Sequence, residues 1–249
     1  MARGSGNPTL RDSTFSEKYR ATDGNVMTLG GTVNKTFMLL ALVLISSGLA
    51  WDYFVKSGGS GAFVQIGVIA GAVGGLVFAL ITIFAKKAAP FTAPLYALCE
   101  GFVIGIISVM MEMRFPGIVL QAIGLTFGTM LSLLAAYKSG LIQVTQNFRL
   151  GVVAATGGIA LVYIVNIVLG FFGIHMPFIH ESGTMGILFS LFVVVIAALN
   201  LVLDFDFIEQ GVESGCAKYM EWYGAFGLVV TLLWLYIEIL RLLAKLRSR

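Results

Sequence analysis

Seven apolar stretches, each close to the roughly 20 residues that a helix needs to cross the hydrocarbon core of a bilayer, occupy nearly everything after Lys35. They cover residues 36–55, 62–85, 93–111, 118–136, 152–172, 185–203 and 222–243. A membrane barrel would alternate apolar and polar residues along ten-residue strands. Residues 102–111 and 187–203 are instead almost uniformly apolar, and such runs must satisfy their backbone groups internally, as a helix does. The sequence therefore predicts an all-α integral membrane protein, a seven-transmembrane-helix bundle over residues 36–249 behind a polar N-terminal arm of residues 1–35.

Hydrophobic residues make up 58% of the chain and charged ones 12%, too apolar a balance for a soluble domain. The formal charge is +3, and the basic residues flank the apolar stretches without forming a stripe among aromatics, which argues against a nucleic-acid partner. Cys99 and Cys216 have no CxxC spacing and no histidine beside them, so both are expected as free thiols. The arm lacks the apolar core of a cleavable signal, leaving the first span to direct insertion. No cofactor is expected.

With the N-terminus inside, the inner side carries Arg3, Arg11, Lys18, Arg20, Lys35, Lys86, Lys87, Lys138, Arg149 and Lys218 before the last span, and the outer side Lys56 and Arg114. Ten against two orients the first six helices. A seventh crossing would export Arg241, Lys245, Arg247 and Arg249, which the same rule disfavours. The expectation is a last helix that is re-entrant or bent near Gly224 and Gly227, with its tail toward the inner face. Glycines four apart recur at Gly67, Gly71 and Gly75, at Gly101 and Gly105, and at Gly124 and Gly128, a spacing that lets helix backbones approach closely.

Ionisable residues inside spans are costly and mark candidate sites. Glu100 lies in the third span. Asp204 and Asp206 end the sixth, and residues two apart point to different faces of a helix, so one is expected at the inner mouth and the other against water or Lys218. Glu238 lies in the seventh, three residues before Arg241, which makes a local ion pair its simplest partner. His175 and His180 fall in an outer loop with no recognised metal spacing.

The chain resembles the Bax-inhibitor family, the transmembrane Bax inhibitor motif proteins, in a bacterial branch with a long arm. The resemblance rests on Asn7-Pro8, on Gly31 to Thr36, on Glu100-Gly101, on Leu203-Asp204 with Ile208, and on Leu235-Tyr236-Ile237-Glu238. It implies a fold whose last helix is surrounded by the others and, in some members, a pH-sensitive calcium leak in which acids of the sixth and seventh helices pair. On that resemblance Asp204, with Asp206 as its rival, matches the sixth-helix acid, and Glu238 the seventh-helix acid with one extra methylene. The pair would share a proton and so couple pH to its own geometry.

The leading expectation is thus a pH-sensitive cation leak or transporter, with calcium or protons as the ions. Asp204, Glu238, Asp206 and Glu100 would form its pathway or sensor, in a bacterial inner membrane with the N-terminus inside. The alternative is a non-conducting regulator that binds another membrane protein through its arm and glycine-rich helices. An enzyme is not expected, because Gly-x-Gly-Asp, Gly-x-Ser-x-Gly and His-Glu-x-x-His are all missing from the sequence.

Overall fold

A computed structural model describes residues 19, 21, 24–59, 62–173 and 183–248. Asn7-Pro8, the basic residues Arg3, Arg11, Lys18 and Arg20, the loop histidines His175 and His180, and Arg249 lie outside the described residues. Seven helices follow: α1 Leu29–Lys56, α2 Ala62–Phe84, α3 Ala89–Arg114, α4 Ile118–Lys138, α5 Gln146–Phe171, α6 Thr184–Glu213 and α7 Met220–Arg247. All seven are long and apolar enough to cross a membrane, and among the described residues the chain has no strand. The protein is an all-α integral membrane protein, as its apolar pattern requires.

Local chemistry sets the helix ends. Thr28 caps α1 by accepting the amide of Gly31, so the helix begins seven residues before the apolar stretch and takes in Gly31 to Lys35. Thr145 caps α5 in the same way through Phe148. Gly117, at φ 80°, makes the left-handed turn between α3 and α4 that a side chain would resist.

The chain divides into two compact units. One contains Phe15–Pro116 and Phe207–Val230, the other Gly117–Asp206 and Thr231–Arg249, so α6 and α7 each contribute to both.

In the first unit, α1 and α2 both pack on α3. Backbone proximity explains the glycines. A Cβ on Gly101 would meet the Val43 carbonyl at 2.7 Å, and one on Gly105 the Ser47 carbonyl at 2.5 Å, so α3 lies nearly on the backbone of α1. Ser46 and Ser47 donate across this seam to the carbonyls of Leu98 and Gly101, both at 2.7 Å. Gly67 and Gly71 receive Phe102 and Val103 of α3. Among the described residues Gly124 and Gly128 on α4 face nothing within 4 Å, so the third glycine pair forms no seam with them.

The same unit holds the end of the arm. Ala21 and Met27 donate to the carbonyls of Gly215 and Cys216, while Ala217 and Lys218 donate back to those of Tyr19 and Asn25. Beside this pairing, Thr28 donates through its amide and its hydroxyl to Glu221 at 3.0 and 2.9 Å, and Lys35 forms an ion pair with the same buried carboxylate.

In the second unit, Ile159 of α5 and Val193 and Ile196 of α6 make a core joined by Trp234 of α7. The apolar core leaves a set of polar side chains on the same three helices.

Candidate functional site

Seven-residue spacing places Arg149, Thr156 and Tyr163 on one face of α5, and Thr231, Glu238 and Lys245 on one face of α7. The second unit brings both stripes against α6. At one end the guanidinium of Arg149 pairs with Asp206, both groups mostly buried. Next, the hydroxyl of Thr231 bonds to Asp204, whose Oδ2 is buried without a further partner. Asn200 then donates to the hydroxyl of Thr156 at 2.8 Å.

Beyond them Glu238, 2% exposed, accepts the hydroxyl of Tyr163 at 3.0 Å and Nη1 of Arg241 at 2.9 and 3.0 Å to its two oxygens. Arg241 also donates to the Tyr163 oxygen at 2.7 Å. At the far end the buried ammonium of Lys245 donates to the Gly186 carbonyl and the Ser190 hydroxyl at 2.9 and 2.8 Å. Arg247 closes the series on Gln121, near the start of α4, at 2.8 Å.

The register is consistent throughout. Asp204 meets Thr231 and Ser190 meets Lys245, so the contacts lie fourteen residues apart on each of two antiparallel helices, about 21 Å along the axis. Arg149 and Tyr163 are also fourteen residues apart on α5. The polar series therefore runs on the order of 20 Å or more through a unit whose surroundings are apolar, most of the roughly 30 Å of a hydrocarbon core.

Two expectations about the last helix are corrected by this geometry. Helix α7 is unbroken over 28 residues, about 42 Å, and does not turn back. Gly224 is a packing position, where a Cβ would meet Ile208 at 3.2 Å and Met27 and Thr32 at 3.4 Å, and the helix runs through it unbroken. The end of α7 sits beside the starts of α4 and α6, at the opposite end of the unit from Arg149 and Asp206. The cost of carrying basic residues there is met locally, because Glu238 neutralises Arg241 and oxygen acceptors hold Lys245 and Arg247.

The acids are accordingly distributed. Asp204 is turned inward, and Asp206 pairs with Arg149. Glu238 makes the local pair with Arg241, and about 10 Å of helix separates it from Thr231, the partner of Asp204. Each of the two acids has its own partner. Glu100 belongs to the other unit, where its carboxylate lies over Gly75 so closely that a Cβ there would come within 2.6 Å. Cys99 and Cys216 are free thiols.

Reading the sequence for acids passes over Arg149, Thr156, Tyr163 and Thr231. The seven-residue spacing of polar groups in two apolar helices is the signal that finds them. Among the described residues no group of three or more His, Cys, Asp or Glu side chains is gathered as a metal cage.

A family model, Bax inhibitor 1 like, matches residues 7–248, nearly the whole chain. The chain belongs to that family. No curated protein and no solved structure matches it. The Bax inhibitor 1 like family is one of membrane proteins associated with ion leak or transport. Helix α7 is the most buried of the seven, with 61% of its apolar window buried against at most 44% in any other helix.

Proposed function

We propose that the protein is a pH-sensitive cation leak, with calcium as the cation to test first, working through the polar series of the second unit. The observation that supports this reading is the continuity of that series, from Arg149 and Asp206 past Asp204, Asn200 and Glu238 to Lys245. Polar groups at such depth are expensive to keep and are expected where an ion or proton passes. Asp204 is the group best suited to receive the ion, because a carboxylate oxygen is a hard-cation ligand and its Oδ2 is buried without a partner. Protonation removes the charge that attracts the cation, which is how pH would act.

Orientation is part of the proposal. The N-terminus and the Arg149–Asp206 end lie inside, and the end of α7 lies outside, in a bacterial inner membrane, following the basic bias of the loops. The reading is of a conductance, not an enzyme.

The test is reconstitution into vesicles carrying a calcium dye, comparing the wild-type protein with Asp204→Asn at two pH values. Wild-type flux above that of empty vesicles, reduced by the substitution, is expected. Flux equal to that of empty vesicles at both pH values would sink the reading.

A further inference from the structure

The end of the N-terminal arm lies across two turns of the first unit. Ala21 and Met27 donate to the carbonyls of Gly215 and Cys216 at 3.1 and 2.7 Å, and Ala217 and Lys218 donate back to those of Tyr19 and Asn25 at 2.7 and 3.0 Å. Val26 and Ala217 face each other as an antiparallel bridge in the middle of this pairing. The ammonium of Lys86, in the turn between α2 and α3, lies 4.4 Å from the ring centre of Tyr19 and 5.4 Å from that of Tyr223 on α7. Thr28, where the arm passes into α1, holds Glu221 in the first turn of α7.

Beneath these contacts Cys216 is fully buried, and the Tyr219 hydroxyl is buried without a hydrogen-bond partner among the described residues. Burial pushes the Tyr219 phenol up, and the Tyr19 phenol and the Cys216 thiol near it add to the shift, so the arm, the loop and the thiol meet in one place. A buried hydroxyl left unpaired costs free energy, which weighs against the closed arrangement. A two-stranded pairing of this size is marginal by itself, and the ends of a chain open at lower cost than a packed core. The arm is therefore held by contacts that can be undone while the helices stay folded.

We propose that Tyr19, Ala21 and residues 24–28 form a releasable strap that fixes the α6–α7 loop and the start of α7. Lifted, the strap opens Cys216 to solvent and frees the connection between the two helices that carry the polar series. Closed, it holds the flux down. As a control on flux the proposal rests on the leak reading above; as a strap over the loop it does not.

In Cys99→Ala protein Cys216 is the only thiol, and its rate of reaction with N-ethylmaleimide in detergent reads the strap. Ala21→Pro and Met27→Pro each remove a donor to the loop. Each should speed labelling by about tenfold, the effect of losing one hydrogen bond from the closed state. Tyr19→Ala keeps the backbone pairing, removes the ring over Lys86 and should speed labelling less; it decides the matter if a proline variant does not purify. Labelling as slow in these variants as in the parent overturns the strap. Val26→Cys/Ala217→Cys, with Cys99→Ala and Cys216→Ala, should crosslink when an oxidant is added, and failure to crosslink overturns the pairing.

In vesicles, Ala21→Pro is expected to pass calcium about fivefold faster than wild type, the low end of a typical coupling between two sites. Adding the oxidised Val26→Cys/Ala217→Cys crosslink to Ala21→Pro should remove that gain, and a reductant should restore it, which general unfolding would not do. Faster labelling with unchanged flux in a conducting protein overturns the control on flux. Vesicles that leak no more than empty ones reject the leak reading instead, and labelling and crosslinking then decide the strap alone.

Discussion

The hydroxyl of Thr231 on α7 bonds to the carboxylate of Asp204 on α6, and this contact seats the buried acid of the polar series. Thr231→Val preserves shape but removes the bond, and a buried polar group left without its partner costs about 1–3 kcal/mol. The melting temperature in detergent should fall accordingly. In the Asp204→Asn background the same substitution should cost less, since a neutral amide needs the hydroxyl less than a carboxylate does. Equal losses in the two backgrounds would mean the side chains are not coupled.

Glu238 and Asp204 each have their own partner, and about 10 Å of helix lies between Thr231 and Glu238. The effects of Asp204→Asn and Glu238→Gln on calcium flux should therefore combine additively on a logarithmic scale. A double variant no worse than the poorer single one would restore a directly paired couple of acids.

A second buried carboxylate serves a different purpose. Glu221 opens α7, is 1% exposed, and binds Lys35 and Thr28 at the start of α1. The ammonium of Lys35 also lies 5.6 Å from the Trp222 ring centre. Gly31 leaves room for this carboxylate, which any Cβ would strike. Lys35→Met should cost about 3 kcal/mol because it strands a buried charge, and Lys35→Met/Glu221→Gln should recover part of the loss. Gly31→Ala should also destabilise the protein, and thermal unfolding in detergent measures all three.

The glycine pairs separate into seam and surface. Gly105→Ala forces α3 off the backbone of α1 and should cost about 2 kcal/mol or more, within the range for overpacking a tight interior. Gly124→Ala meets nothing within 4 Å, and the better helix propensity of alanine should make it neutral or slightly stabilising. Similar losses at both positions would show that Gly124 is also packed, against a partner outside the chain.

The orientation predicts labelling. Cysteines introduced at Gln121 and at Ser248 should react with an impermeant thiol reagent added from outside, and one introduced at Lys138 should not. Protection of Gln121 together with reaction at Lys138 would invert the protein in the membrane.

Much of this molecule was legible from residues alone, because the thickness of a bilayer sets how long an apolar run must be and the cost of burying charge keeps ionisable groups few. Seven spans and the candidate acids follow from those two constraints, and short motifs such as Glu100-Gly101 and Leu203-Asp204 carry the family resemblance. The local pair of Glu238 with Arg241 was legible as well, since three residues on a helix bring side chains onto one face. What tertiary structure alone decided is which distant group answers each charge. Lys35 meets Glu221 186 residues away, Arg149 meets Asp206 57 residues away, and Tyr163 meets Glu238 75 residues away. Those partners depend on the register between helices, which close packing sets and a one-dimensional pattern does not contain. The last helix shows the difference most clearly. Its basic tail argued against crossing when charges were counted alone, yet the helix runs unbroken over 28 residues, and Glu238, Gly186, Ser190 and Gln121 supply acceptors for three of those charges.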